Sequence, residues 1–152
     1  MNVLKIQQEI LKDALNGKGK NWIIQHNEGE VLIGTNVSCY ILLNKEYLLD
    51  TESLKKSDVK ASGVTLLAQV VDNHKNAKPA YKTGVLKVVK GDGKDVSAME
   101  LMCGDELIYV NPNNLKHFKK SAEFEGTNGK APVYVYEDGD LVGLVMPMNI
   151  KA

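Results

Sequence analysis

What this sequence has little of narrows it first. Its 19 basic and 19 acidic side chains cancel. No global field draws the chain to nucleic acid, so any DNA contact has to come from a local patch. Cysteine is nearly absent. Cys39 and Cys103 have neither metal-ligand spacing nor the crowding of a disulfide framework, and read as reduced, partly buried thiols of a cytoplasmic protein. The opening Met1-Asn2-Val3-Leu4-Lys5 lacks a signal-peptide core, because Lys5, Gln7, Gln8 and Glu9 interrupt it. No apolar run approaches the ~18 residues that cross a membrane.

Catalytic signatures are missing too. His26, His74 and His117 stand in no HxxxH or HExxH pattern, so no metal site and no cofactor is expected. Gly91-Asp92-Gly93-Lys94 lacks the spacing of a phosphate loop and reads as a hairpin turn. The acidic residues are scattered, and none pairs for acid–base work. Cys103 beside Gly104-Asp105-Glu106 would need an activating histidine from elsewhere before it could serve as a nucleophile in a small hydrolase or transferase. The expectation is a protein that is not an enzyme.

What remains is a chain of 152 residues with ordinary apolar and charged fractions, long enough for one domain with a substantial core. Val3 to Leu15 is predicted as a helix: Val3, Leu4, Ile10, Leu11, Ala14 and Leu15 form an apolar stripe opposite Lys5, Gln8 and Lys12, and Asn16-Gly17 ends it. Three strands follow, Trp22 to His26, Val31 to Ile33 and Ser38 to Leu43, with Gly34 and Asn36 at a bend. Between Asn44 and Ala61 the pattern weakens. Tyr47-Leu48-Leu49 suits a strand end, and Thr51 suits the cap of a short helix through Lys56. The β-branched run Val64 to Val71 predicts a buried strand, Asp72 to Pro79 an exposed loop, and Tyr81 to Lys90 a strand with Val85, Leu86, Val88 and Val89 as its apolar residues. Met99 to Cys103 alternates, and Gly104-Asp105 turns the chain.

The last third is the most informative. The strand Leu107-Ile108-Tyr109-Val110 runs into Asn111-Pro112, a helix cap followed by a proline that suits the first helical position. A helix over Asn113 to Ser121 is predicted, with Leu115 and Phe118 on one face and Lys116, Lys119 and Lys120 elsewhere. Val133 to Tyr136, a turn at Glu137-Asp138-Gly139-Asp140, and Leu141 to Met148 read as a closing hairpin. The order helix, strand, strand, strand thus occurs at both ends of the chain.

Val110-Asn111-Pro112-Asn113-Asn114-Leu115 together with Leu144-Val145-Met146-Pro147-Met148 resembles the end of the third domain of the bacterial sliding clamp, the beta subunit of DNA polymerase III. The resemblance covers the terminal stretch and extends to the rest only as an order of elements. It implies an α+β fold of DNA-clamp type: a single domain over residues 1–152, two helices on one face of antiparallel sheets, and an internal pseudo-twofold repeat. The spacing between the first helix and Asn111 exceeds that of a clamp domain, which places an insertion within residues 50–79.

The resemblance also implies a function, that of a non-catalytic replication accessory or regulator. Lys5, Lys12, Lys116, Lys119 and Lys120 would face duplex DNA through salt-sensitive backbone contacts, with Lys18, Lys20 and His117 extending the basic set. Encircling DNA would require an oligomer joined through complementary edges. Asn111, Val133, Leu144, Met146, Pro147 and Met148 match positions that line the family's groove for short linear peptides of replication proteins. Asn114 and Asn149 depart from the family's usual tyrosine and basic residue. The alternative is a monomeric interaction module that binds a peptide or protein partner through its C-terminal strand without encircling DNA.

Overall fold

The computed structural model describes residues 1–16, 22–35, 37–47, 69–90 and 94–150. Helix α1 spans Val3–Leu15, followed by strands β1 (Trp22–Asn27), β2 (Glu30–Gly34) and β3 (Ser38–Leu43). After residues 69–72, which are helical, and a 3₁₀ turn at Asn73–Asn76 come β4 (Lys78–Lys90), β5 (Asp95–Cys103) and β6 (Glu106–Val110). A 3₁₀ turn at Pro112–Leu115 precedes β7 (Glu123–Gly126), β8 (Val133–Glu137) and β9 (Asp140–Val145). The architecture is α+β: a mostly antiparallel sheet with short helical segments.

The strands lie in the order β1-β2-β3-β9-β8-β7-β4-β5-β6, every neighbouring pair antiparallel. Two three-strand meanders, one from each end of the chain, meet where Ser38, Cys39 and Tyr40 pair with Val145, Leu144 and Gly143. β4 has two partners. Lys78, Pro79 and Ala80 pair with β7, and from Tyr81 onward the strand pairs with β5. Asp138 (φ 56°) and Gly139 (φ 89°) both adopt the left-handed conformation that a tight β8–β9 hairpin demands, which is why an Asp-Gly pair stands there.

Each face of the sheet buries its own cluster. On one face, Ile6 and Ile10 of α1 pack with Ile33, Leu42, Leu101, Ile108, Phe118 and Val133. On the other, Val71 packs with Trp22, Ile24, Leu32, Tyr134 and Leu144. The buried stripe of α1 is narrower than its composition suggests. Ile6, Gln7 and Ile10 point inward, whereas Leu4, Leu11 and Leu15 are exposed. Gln7 is accommodated because its amide donates to the Glu46 carbonyl at 2.9 Å.

Several expectations are corrected. The helix predicted over Asn113 to Ser121 is a single 3₁₀ turn, Pro112–Leu115, followed by turns. Two consecutive asparagines are poor helix formers, and one turn cannot offset the cost of nucleation. The end of the strand predicted over Val64 to Val71 is helical from residue 69, with Val71 in the second cluster. The loop predicted over Asp72 to Pro79 contains a 3₁₀ turn and the start of β4. The closing strand stops at Val145 rather than Met148. The strand predicted over Tyr81 to Lys90 is present as part of β4, and its apolar Val85, Leu86 and Val88 are exposed. The readings placed on Gly17, Asn36, Leu48-Leu49, Thr51 to Lys56, Val64 to Ala68 and Gly91 to Gly93 fall outside the described residues. So does most of the stretch assigned to an insertion.

The meander junction leaves no room for a side chain at Gly143. A Cβ there would lie 2.3 Å from the Cys39 carbonyl oxygen and 2.9 Å from the Phe118 ring. Gly143→Ala should lower the unfolding free energy by about 1–3 kcal/mol, the usual cost of forcing atoms into a packed interior. Urea denaturation of the two proteins measures it.

Candidate functional site

Three polar clusters stand out among the described residues. The first begins at Asn111, whose Oδ1 accepts from the Asn113 amide at 2.9 Å and caps the 3₁₀ turn, with Pro112 in its first turn. This cap sets the direction in which the chain leaves β6 and carries Lys116 and His117 onto α1. The Asn2 amide donates to the His117 carbonyl at 2.7 Å. The Glu9 carboxylate accepts from Lys116 Nζ at 3.0 Å and from His117 Nε2 at 2.9 Å. His117 is buried and sits edge-on to Tyr40, with ring centroids 5.8 Å apart. Partial burial pulls the Glu9 carboxyl upward, and the hydrogen bonds from Lys116 and His117 more than reverse it, leaving the group below the usual carboxylate range. Burial pushes the Tyr40 phenol up. A cavity of about 300 Å³ opens beside this cluster, between α1, the β2–β3 connection and the 3₁₀ turn, lined among others by Ile6, Asp13, Thr35, Val37, Ser38 and Asn114.

The second cluster lies on the β4–β6 hairpins. Lys87 Nζ donates to Tyr109 Oη, Tyr109 Oη donates to Glu100 Oε2 at 2.9 Å, and Thr83 Oγ1 donates to Glu100 Oε1 at 3.0 Å. The Tyr109 hydrogen bond, with those from Thr83 and Lys87, holds the Glu100 carboxyl below its ordinary value. The third cluster is at the β8–β9 turn. The buried Glu137 carboxylate pairs with the Met1 ammonium and accepts from the Lys119 amide at 2.7 Å, while Lys119 Nζ pairs with Asp138.

The five lysines singled out from the sequence are therefore not alike. Lys116 and Lys119 are each paired with a carboxylate, whereas Lys5, Lys12 and Lys120 are exposed. Lys18 and Lys20 lie outside the described residues. The chain contains no arginine, so no planar guanidinium is present for bidentate phosphate recognition.

The six groove positions do not converge. Val133 lies in the cluster beneath α1, and Leu144 faces the opposite side of the sheet. Asn111 is engaged as a cap. Met146, Pro147 and Met148 form a strap: the Met146 amide donates to Val37 at 2.8 Å and the Met148 amide to Tyr109 at 2.7 Å. Met146 is exposed and bonded to Val37, which lines the cavity.

Cys103 Sγ faces the Gly126 carbonyl at 3.3 Å and the Lys78 carbonyl at 3.8 Å. The histidines are elsewhere: His26 beside Asp72, His74 bonded through Nδ1 to the Val71 carbonyl, and His117 on Glu9. Among the described residues no group of three or more His, Cys, Asp or Glu side chains could hold a metal ion, and no helix is long and apolar enough to cross a membrane. Sequence reasoning passed over Glu9, Tyr40, Glu100 and Tyr109, because their partners are distant in the chain. No protein-family model matches this chain, and no curated protein or solved structure matches it.

The Glu9 cluster gives a signed pH prediction. Because the folded carboxyl is depressed, its contribution is fully present above the unfolded value near 4.5 and is lost as pH falls through the folded one. Glu9→Gln should cost under about 1 kcal/mol at neutral pH, since the carboxylate is largely solvated. The difference from wild type should vanish at the acid end of a denaturation series. Burial pushes the Cys39 thiol up to about 12. Iodoacetamide should therefore label Cys39 far more slowly in the native protein than in urea, as mass spectrometry of the modified peptide would show.

Proposed function

We propose that this chain is a non-catalytic protein-interaction domain built on the sliding-clamp plan, acting without encircling DNA. Two observations support the plan. The strand order β1-β2-β3-β9-β8-β7 reads as two three-strand meanders, each preceded by a helical segment, joined at β3 and β9. Both helical segments lie on the same side and touch through Glu9, Lys116 and His117. An approximate twofold between the halves follows from that reading.

The observation that carries the choice of partner is the pairing of Lys116 and Lys119 with Glu9 and Asp138. A lysine already held by a carboxylate must exchange that partner for a phosphate before it can displace the DNA's counterions, so it contributes less to binding. Two of the five lysines of the face that would lie along DNA are thereby neutralised. The exposed Met146, bonded to Val37 of the cavity lining, is the better contact, since a flexible thioether adapts to varied apolar side chains. A second reading, contact with duplex DNA, is favoured by the exposure of Lys5 and Lys12 on α1.

Light scattering after size exclusion should give the mass of one chain, 16.7 kDa, at micromolar concentration. A stable multiple of it would support a ring. Duplex DNA titrated at low salt should bind a Lys116→Ala, Lys119→Ala, Lys120→Ala variant as weakly as wild type. A drop of about tenfold in the variant, with a shallower salt dependence, would transfer the assignment to DNA.

A further inference from the structure

β4 has β7 on one edge and β5 on the other, at different places along its length. β7 covers its edge at Lys78, Pro79 and Ala80 and then leaves, while β5 continues on the opposite edge as far as Lys90. From residue 83 to residue 90 the edge that faced β7 therefore meets no strand among the described residues. Such an edge is a row of amide and carbonyl groups ready to pair with another chain. The side chains beside it are apolar: Leu86 is 67% and Val88 71% exposed.

The face of this edge has a definite pattern. Lys82 and Leu86 pair with Leu101 and Met99, which pack on the first cluster. By alternation Val88 and Lys90 lie on the same side. The order along the face is lysine, leucine, valine, lysine. Lys82 donates to the Lys120 carbonyl at 2.9 Å and Lys90 stands across from Asp95 of β5, but neither forms an ion pair among the described residues, and β4 carries four lysines and no acid. A second copy laid along β4 would set positive charge against positive charge. An extended strand with apolar residues in its middle and carboxylates at its ends would match both features.

We propose that the β4 edge over residues 83–90 is a docking site for an extended segment of a partner protein, which adds a strand end to end with β7 and places carboxylates against Lys82 and Lys90. Backbone pairing supplies the register, and Leu86 and Val88 select the central side chains. This surface is separate from Met146 and the cavity, so it stands or falls apart from the contact proposed there.

The test uses the full chain and the synthetic peptide acetyl-Glu-Thr-Val-Thr-Val-Thr-Val-Thr-Glu-amide. Amide hydrogen exchange and fluorescence anisotropy are read together. The peptide should protect alternate amides over residues 84–90. A version with Lys in place of Glu, and one N-methylated at alternate amides, should each bind at least about tenfold more weakly. Val88→Asp should weaken binding by a similar factor, and Val88→Thr, which keeps strand propensity, should restore most of it. Equal binding of the N-methylated peptide would overturn the proposal. So would protection at residues 144–148 in place of β4, which would leave the interaction reading intact. Concentration-dependent protection of β4 without peptide would show a second copy as the occupant and also overturn it.

Discussion

Gly143 sits where the two halves of the sheet are sewn together. The Cys39 carbonyl and the Phe118 ring both close on the place where its side chain would be. That approach lets β9 pair with β3, and the β3–β9 ladder turns two separate meanders into one continuous sheet. Phe118 then reaches Tyr40, with ring centroids 5.1 Å apart, and seals the cluster beneath α1. The position of His117 beside Glu9 follows from the same packing, because the neighbouring residue is anchored by Phe118. The polar cluster and its cavity are thus consequences of backbone proximity at one residue.

Much of the architecture was legible in the chain. α1 at Val3–Leu15 and β3 at Ser38–Leu43 have the bounds that periodicity and turn residues gave them. The Asn111 cap and the Asp138-Gly139 turn behave as their chemistry requires. These are local effects, fixed by residues within a few positions of one another. Apart from the shortened helix after Asn111, the failures are non-local. Val70 and Val71 have strand propensity, yet residues 69–72 are helical with Val71 packed against the second face of the sheet. A short apolar run does not tell a strand from a buried helical turn. Leu86 and Val88 read in the sequence only as apolar strand residues, and their exposure follows from β7 pairing no further along β4 than Ala80.

The candidate site was less legible than the fold. The lysines could be named from the sequence, but not the carboxylates that neutralise them, since Glu9 and Asp138 are remote in the chain from Lys116 and near to Lys119 only through a folded turn. The six groove positions are grouped by a linear pattern in the sequence. Alternation along paired strands nevertheless sends Val133 and Leu144 to opposite faces, because Val133 stands across from Val145 and not from Leu144.

One further consequence lies in the length of β4. Its first three residues belong to the body of the sheet and the rest to a ribbon, with a register shift and a left-handed Gly84 between them. A strand held by β7 at one end and by β5 along the rest does not open as a unit. The ribbon can fray inward from its tip and stop at Gly84, leaving the body shut. One uninterrupted stretch of backbone thus carries two local stabilities.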